Sequence, residues 1–249
     1  LWAIVCLAVL LTMANIFVAQ LFSWDLGKVS VEFGLSAVAL TGLLLVFFLG
    51  LKILADDLER HRISLIMSRP VAGWQYIVGK FLGLGMILLA AALILGLGAV
   101  LSMHYVLWQF PTFVPPQFSW TTYTMALASQ WLGLVMMLAV SVFCFSFASQ
   151  PFVALLLTVA VYFVGQNMEL LRQVVVENTH AGILSGKEQV VMALSWIFPN
   201  LSLFDRKAAA AYGLAFGVQE FGLLLLYCLT YSALLLFLAT RFFNRKELA

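Results

Sequence analysis

Residues 55–80, ADDLERHRISLIMSRPVAGWQYIVGK, are the densest polar stretch of this chain and lie between two long apolar runs. Asp56, Asp57, Glu59, Arg60, His61 and Arg62 follow the first run directly, with Leu58, Leu65 and Ile66 on one side of an expected short helix over 56–67. Ser68-Arg69-Pro70 ends that helix, because the residue before a proline avoids the α region. Trp74-Gln75-Tyr76 restarts a helix that runs into the next apolar stretch. A polar segment so flanked reads as a handle in water between two membrane helices.

Composition supports that reading. Hydrophobic residues make up 64% of the 249 and charged residues only 10%, far from the roughly even balance of a soluble domain. Mean hydropathy is +1.06. A bilayer core of ~30 Å needs about 20 apolar residues in a helix, and six runs come close. They are Leu1 to Phe22, Leu35 to Leu54, Phe81 to Leu107, Tyr123 to Ala148, Phe152 to Asn167 and Phe221 to Phe243. In lipid every backbone polar group must be satisfied internally, and the alternation of a membrane barrel is absent. The expected fold is therefore an all-α integral membrane protein with six transmembrane helices in one domain, 1–249. The first run lacks a basic leader and a small-residue cleavage site, so it reads as a span.

Lys and Arg set the orientation. With the handle and the C-terminal tail in the cytoplasm, Lys52, Arg60, Arg62, Arg69, Lys80, Arg241, Arg245 and Lys246 lie inside, against Lys28, Arg172, Lys187, Arg206 and Lys207 outside. Both termini are then cytoplasmic. On the outer face, 109–122 carries three prolines between Trp108 and Trp120 and reads as a rigid loop with interfacial anchors. The segment from Met168 to Glu220 is expected to hold two short amphipathic helices, one carrying Leu170, Leu171, Val174 and Val175, the other running from Glu188 to Phe198 until Pro199 stops it.

Several function classes are excluded or weakened. A net charge of +2 gives no footprint for nucleic acid. Cys6, Cys144 and Cys228 fall in three separate apolar runs, without ligand spacing, and read as packing residues. There is no GxSxG, no HExxH and no Walker A loop; Gly79-Lys80 lacks the glycine five residues earlier that such a loop requires. The span centres lack acidic and basic residues and their polar groups are neutral, among them Thr12, Asn15, Gln20, Gln130, Gln166 and Asn167, whereas ion-coupled carriers place ionisable groups at mid-membrane. An energy source outside the chain is implied. Gly79, Gly83 and Gly85, echoed by Gly96 and Gly98, form a small-residue pattern suited to close helix contact.

Leu65-Ile66-Met67-Ser68-Arg69-Pro70-Val71 with Trp74-Gln75-Tyr76 and Gly79-Lys80 resembles the "LLSRPVSRxxYLLGK" segment of ABC-2 type permeases, the membrane subunits of a class of bacterial ABC transporters. Trp196 to Asp205, WIFPNLSLFD, resembles the "PNLxxFD" segment that precedes their last span. The family's Gly-Thr before the core is Ile63-Ser64 here, and its basic residue after Pro-Val is Ala72-Gly73. Family members usually begin with a cytoplasmic amphipathic helix, so a leading segment before Leu1 is expected.

The resemblance implies a permease of the bacterial inner membrane that pairs with a second copy of itself and with two copies of a separate ATP-binding subunit. ATP and Mg would be held there, leaving this chain without cofactor or catalytic residue. It implies a coupling role for Asp57, Glu59, Arg60, Arg62, Arg69 and Pro70, and a dimer interface that includes the first and fifth spans. Asn15, Gln20, Gln166 and Asn167 are then the candidate substrate path. A path of apolar side chains with a few neutral polar groups suits an amphipathic or hydrophobic cargo better than a hydrated ion. Two other classes stay open: a membrane anchor passing ATPase strokes to a periplasmic partner, and an intramembrane enzyme.

Overall fold

The computed structural model describes residues 2–21, 26–59, 73–109, 118–148, 150–173, 197–214 and 216–247. Their regular structure is entirely helical. In chain order the elements are α1 (Trp2–Leu21), α2 (Leu26–Glu59), α3 (Gly73–Gln109), α4 (Trp120–Phe147), α5 (Pro151–Gln166), a 3-10 turn (Ser202–Phe204), α6 (Lys207–Tyr212) and α7 (Val218–Glu247). Long apolar runs without interior proline give helices because each backbone group is then paired within its own segment.

Four helices are long and apolar enough to cross a membrane: Gly27–Phe48, Gly73–Val106, Trp120–Phe147 and Val218–Asn244. The chain is a multi-pass membrane protein. Val9–Val18 of α1 and the 16 residues of α5 are shorter apolar stretches. At 1.5 Å per residue α5 reaches about 24 Å, less than the ~30 Å hydrocarbon core.

α4 is the centre of the bundle. Met136 to Val142 are buried without a break, so this part of the helix is enclosed on every side, as expected of a helix apolar all round. At one end of the bundle Val31 and Leu35 of α2, Met103 of α3, Tyr123 of α4 and Ala210 and Ala211 of α6 share a core. At the other end Ile77 of α3 packs with Ala139, Val140, Val142, Cys144 and Phe145 of α4 and with Leu235, Ala239 and Phe243 of α7. The first turns of α3 are locked further by a stack of Tyr76 on Phe243, centroids 5.4 Å apart.

Two expectations meet a different arrangement. No break separates the acidic cluster from the preceding helix: α2 continues through Glu59, so Asp56, Asp57 and Glu59 form its last turn. No glycine or proline stands between Gly50 and Pro70, which removes any local reason to stop earlier. The remainder of the expected coupling helix, with Arg60, Arg62, Arg69 and Pro70, lies outside the described residues. The glycines that open α3 are not its contact surface within this chain, since a Cβ on Gly79, Gly83 or Gly85 would meet nothing within 4 Å. Close contact comes deeper, where a Cβ on Gly96 would lie 2.8 Å from Leu127.

Of the outer helices, 168–173 is helical after a turn at Asn167, and most of 188–198 lies outside the described residues. An unexpected short helix follows. α6 buries Ala209, Ala210 and Ala211 against α2 and α4 and ends at Gly213, whose φ of 65° is the left-handed region that glycine enters without a Cβ clash.

Candidate functional site

The site is built around the segment 197–207, an irregular backbone lodged between α4, α5 and α7. Irregular backbone beside lipid must have its polar groups met inside the protein. Here they are met by the motif's own side chains and by neighbours. The Leu201 N–H donates to the Gly165 carbonyl at 3.1 Å, and the Asn200 N–H donates to Tyr227 Oη at 2.9 Å. Asn200 Nδ2 donates to Glu169 Oε2 at 3.1 Å, while Asn200 Oδ1 accepts from Ser202 Oγ at 2.6 Å. Tyr231 Oη donates to the Ile197 carbonyl at 2.8 Å. Phe204, fully buried, stacks on Tyr227 with centroids 6.1 Å apart. Gly165 is required at its position, because a Cβ there would lie 2.6 Å from the Pro199 carbonyl oxygen.

This segment closes one side of a cavity of about 280 Å³. α2, α4 and α5 supply the other walls. The polar groups sit towards the α6 end: Ser36, Gln130, Gln166 and the pair Asp205 and Lys207, whose Oδ2 and Nζ are 3.1 Å apart. Leu40, Leu43, Leu134, Met137 and Tyr162 line the part further from α6. From Gln130 to Met137 is about 10 Å along α4. Gln166 Oε1 is buried and finds no hydrogen-bond donor among the described residues.

The residues singled out in the sequence are dispersed. Gln166 lines the cavity. Asn167 is exposed and turns back, Nδ2 donating to the Phe163 carbonyl at 2.8 Å, so it caps its own helix. Asn15, 2% exposed, sits in a separate knot, where Nδ2 donates to the Ser30 carbonyl at 3.2 Å and to Ser102 Oγ at 2.8 Å. Gln20 falls within α1 and Asp57 and Glu59 within the last turn of α2, and their side chains are outside the described set. Sequence reasoning missed Glu169, Tyr227, Tyr231 and Gly165. Tyr227 and Tyr231 are four apart on one helix face, a spacing that marks a shared partner, but nothing local says which segment that is.

Among the described residues no three His, Cys, Asp or Glu side chains gather where a metal ion could be held. Cys144 and Cys228 are buried free thiols, and Cys228 Sγ donates to the Leu132 carbonyl at 3.3 Å. Comparison with known proteins finds no family model and no curated protein that matches this chain.

Proposed function

We propose that this chain is the permease subunit of an ATP-driven exporter, an ABC-2 type protein of the bacterial inner membrane that moves an amphipathic or hydrophobic cargo. Six spans, with α1 and α5 completing the four long helices, put both termini in the cytoplasm. Two copies pair through faces that include α1 and α5, and each binds a separate ATP-binding subunit that holds ATP and Mg. The handle docks on that subunit through Asp57, Glu59, Arg60, Arg62, Arg69 and Pro70.

One observation carries the reading. The second half of the signature, Trp74 to Lys80, is the opening of α3, and this opening is packed on α4 and α7 through Ile77 and Tyr76. A force applied to residues 60–72 therefore enters helices that are already joined, as a lever requires. Cargo would meet the cavity between α2, α4 and α5, whose apolar walls and neutral amides suit an amphiphile. Replacing Glu59 and Arg62 together with Ala should abolish co-purification of the ATP-binding subunit or uncouple its ATP hydrolysis from cargo. Survival of both properties would place the docking surface elsewhere.

A further inference from the structure

We infer that the cavity beside segment 197–207 binds the head of a phospholipid that carries a primary ammonium, of the phosphoethanolamine type, with its chains lying past Leu40 in the bilayer. The inference rests on the reading of this cavity as the ligand site, but not on ATPase coupling.

The order of polarity comes first. α2 and α4 run away from the α6 end and α5 runs towards it, yet all three present polar groups near that end and apolar groups beyond: Ser36 then Leu43, Gln130 then Met137, Gln166 then Tyr162. A cavity graded in this way along the helices matches a molecule with its head at one level and its chain at the next. A free polar metabolite has no use for the lower half.

Size and opening come next. A volume of about 280 Å³ has room for roughly nine water-sized groups, enough for a head and too little for a diacyl lipid. The chains must therefore leave sideways. Leu40, which lines the cavity, is 61% exposed, and Leu44 one turn on is 43% exposed, so the wall opens on the membrane there.

The choice of head follows from the donors and acceptors. Gln166 Oε1 is sealed from the cavity, so the choice of head falls on the acceptor that is accessible at its rim, the Asp205 carboxylate. An ammonium with N–H groups donates to that carboxylate, and a trimethylated ammonium has no N–H to donate. At the rim, Asp205 and Lys207 form a partly exposed pair at 3.1 Å, held loosely enough to be exchanged. A zwitterion satisfies both partners of that pair, its phosphate on Lys207 and its ammonium on Asp205, while a purely anionic head leaves Asp205 opposed.

The full chain, purified in detergent without any ATPase, should be offered equal amounts of dioleoyl phosphatidylethanolamine and dioleoyl phosphatidylcholine and examined by native mass spectrometry. A preference of about tenfold for the ethanolamine lipid is expected, the worth of one charge-assisted hydrogen bond. Asp205→Asn, which keeps an acceptor for the Lys207 N–H and removes the charge, should bring the two lipids close to parity, and Asp205→Glu should retain the preference. Equal retention of the two lipids by the unaltered chain overturns the inference whatever the variants do. An undiminished preference in Asp205→Asn overturns the role of the carboxylate, with Asp205→Ser as a second variant should the first fail to fold. Displacement by free O-phosphoethanolamine at the lipid's own concentration would show that the ligand is a soluble head and not a lipid. Loss of ATPase coupling with the lipid preference intact would remove the exporter reading alone.

Discussion

Asn15 Nδ2 and Ser102 Oγ lie 2.8 Å apart across 87 residues of sequence, and this hydrogen bond fastens α1 to α3 inside the apolar bundle. Ser102 in turn donates to the Ala99 carbonyl at 2.9 Å, so its oxygen is free to accept from Asn15. Asn15→Leu keeps the volume and removes both donations. Hydrogen bonds between membrane helices are worth ~0.6 kcal/mol on average and up to about 1.7, so a loss of roughly 1–2 kcal/mol is expected for the two. A thermal midpoint in detergent that does not fall would show that the knot contributes nothing to α1 docking.

Gly165→Ala should be among the most damaging single-methyl changes in the chain. The added Cβ meets the backbone oxygen of Pro199 at 2.6 Å and Leu201 at 2.9 Å, and backbone cannot rotate away. Overpacking of this kind costs typically ~1–3 kcal/mol. Gly222→Ala is the matched control, since a Cβ there meets nothing within 4 Å and alanine favours a helix by up to about 1 kcal/mol. Comparable thermal midpoints for the two variants would contradict this account of the α5 terminus.

Tyr227→Phe leaves the Asn200 N–H buried without its acceptor, which costs about 1–3 kcal/mol. Tyr231→Phe withdraws the donor to the Ile197 carbonyl, an exposed contact whose loss should cost less. Because both tyrosines hold one short segment, the double variant should release 197–205 as a unit. Amide hydrogen exchange in that segment is expected to rise sharply while α4 stays protected. Unchanged exchange in the double variant would mean that Leu201 and Phe204 alone fix the segment.

The Tyr76 and Phe243 stack is open to a double-mutant cycle. Leucine at each position singly and together should reveal a coupling of about 0.5–1.5 kcal/mol beyond area burial. Additive effects would mean that the two rings are neighbours without mutual stabilisation.

The fold was legible in the sequence where the physics is local. Runs such as 123–148 can only be helices in lipid, and the start of a helix beside Trp74 followed from the proline before it. What escaped depends on partners distant in the chain. Asp56 to Glu59 looked like a separate helix because their polarity changes abruptly, but polarity does not end a helix when no glycine or proline intervenes. Lys207 to Tyr212 gave no amphipathic signal, since four alanines are small enough to be buried on one side and inconspicuous on the other. In the site, Gln166 was recognised as a polar group in an apolar run. Asn15 carried the same signal for a different reason, because periodicity cannot tell an interhelical hydrogen bond from a cavity wall. Glu169 and Tyr227 were invisible as a pair, since their common partner Asn200 is brought to them only by the return of segment 197–207 onto α5.

The shortness of α5 gives that returning segment a mechanical meaning. A helix of about 24 Å falls short of a ~30 Å bilayer and leaves a notch at the Asn167 turn, before the helical residues 168–173 resume. The Leu201 N–H on the Gly165 carbonyl and the buried ring of Phe204 fill this notch as a cork fills a neck. Withdrawing the cork by even one turn would admit water to the end of α5 and thin the insulating layer locally, so the barrier at this point is made of tertiary contacts and not of helix length.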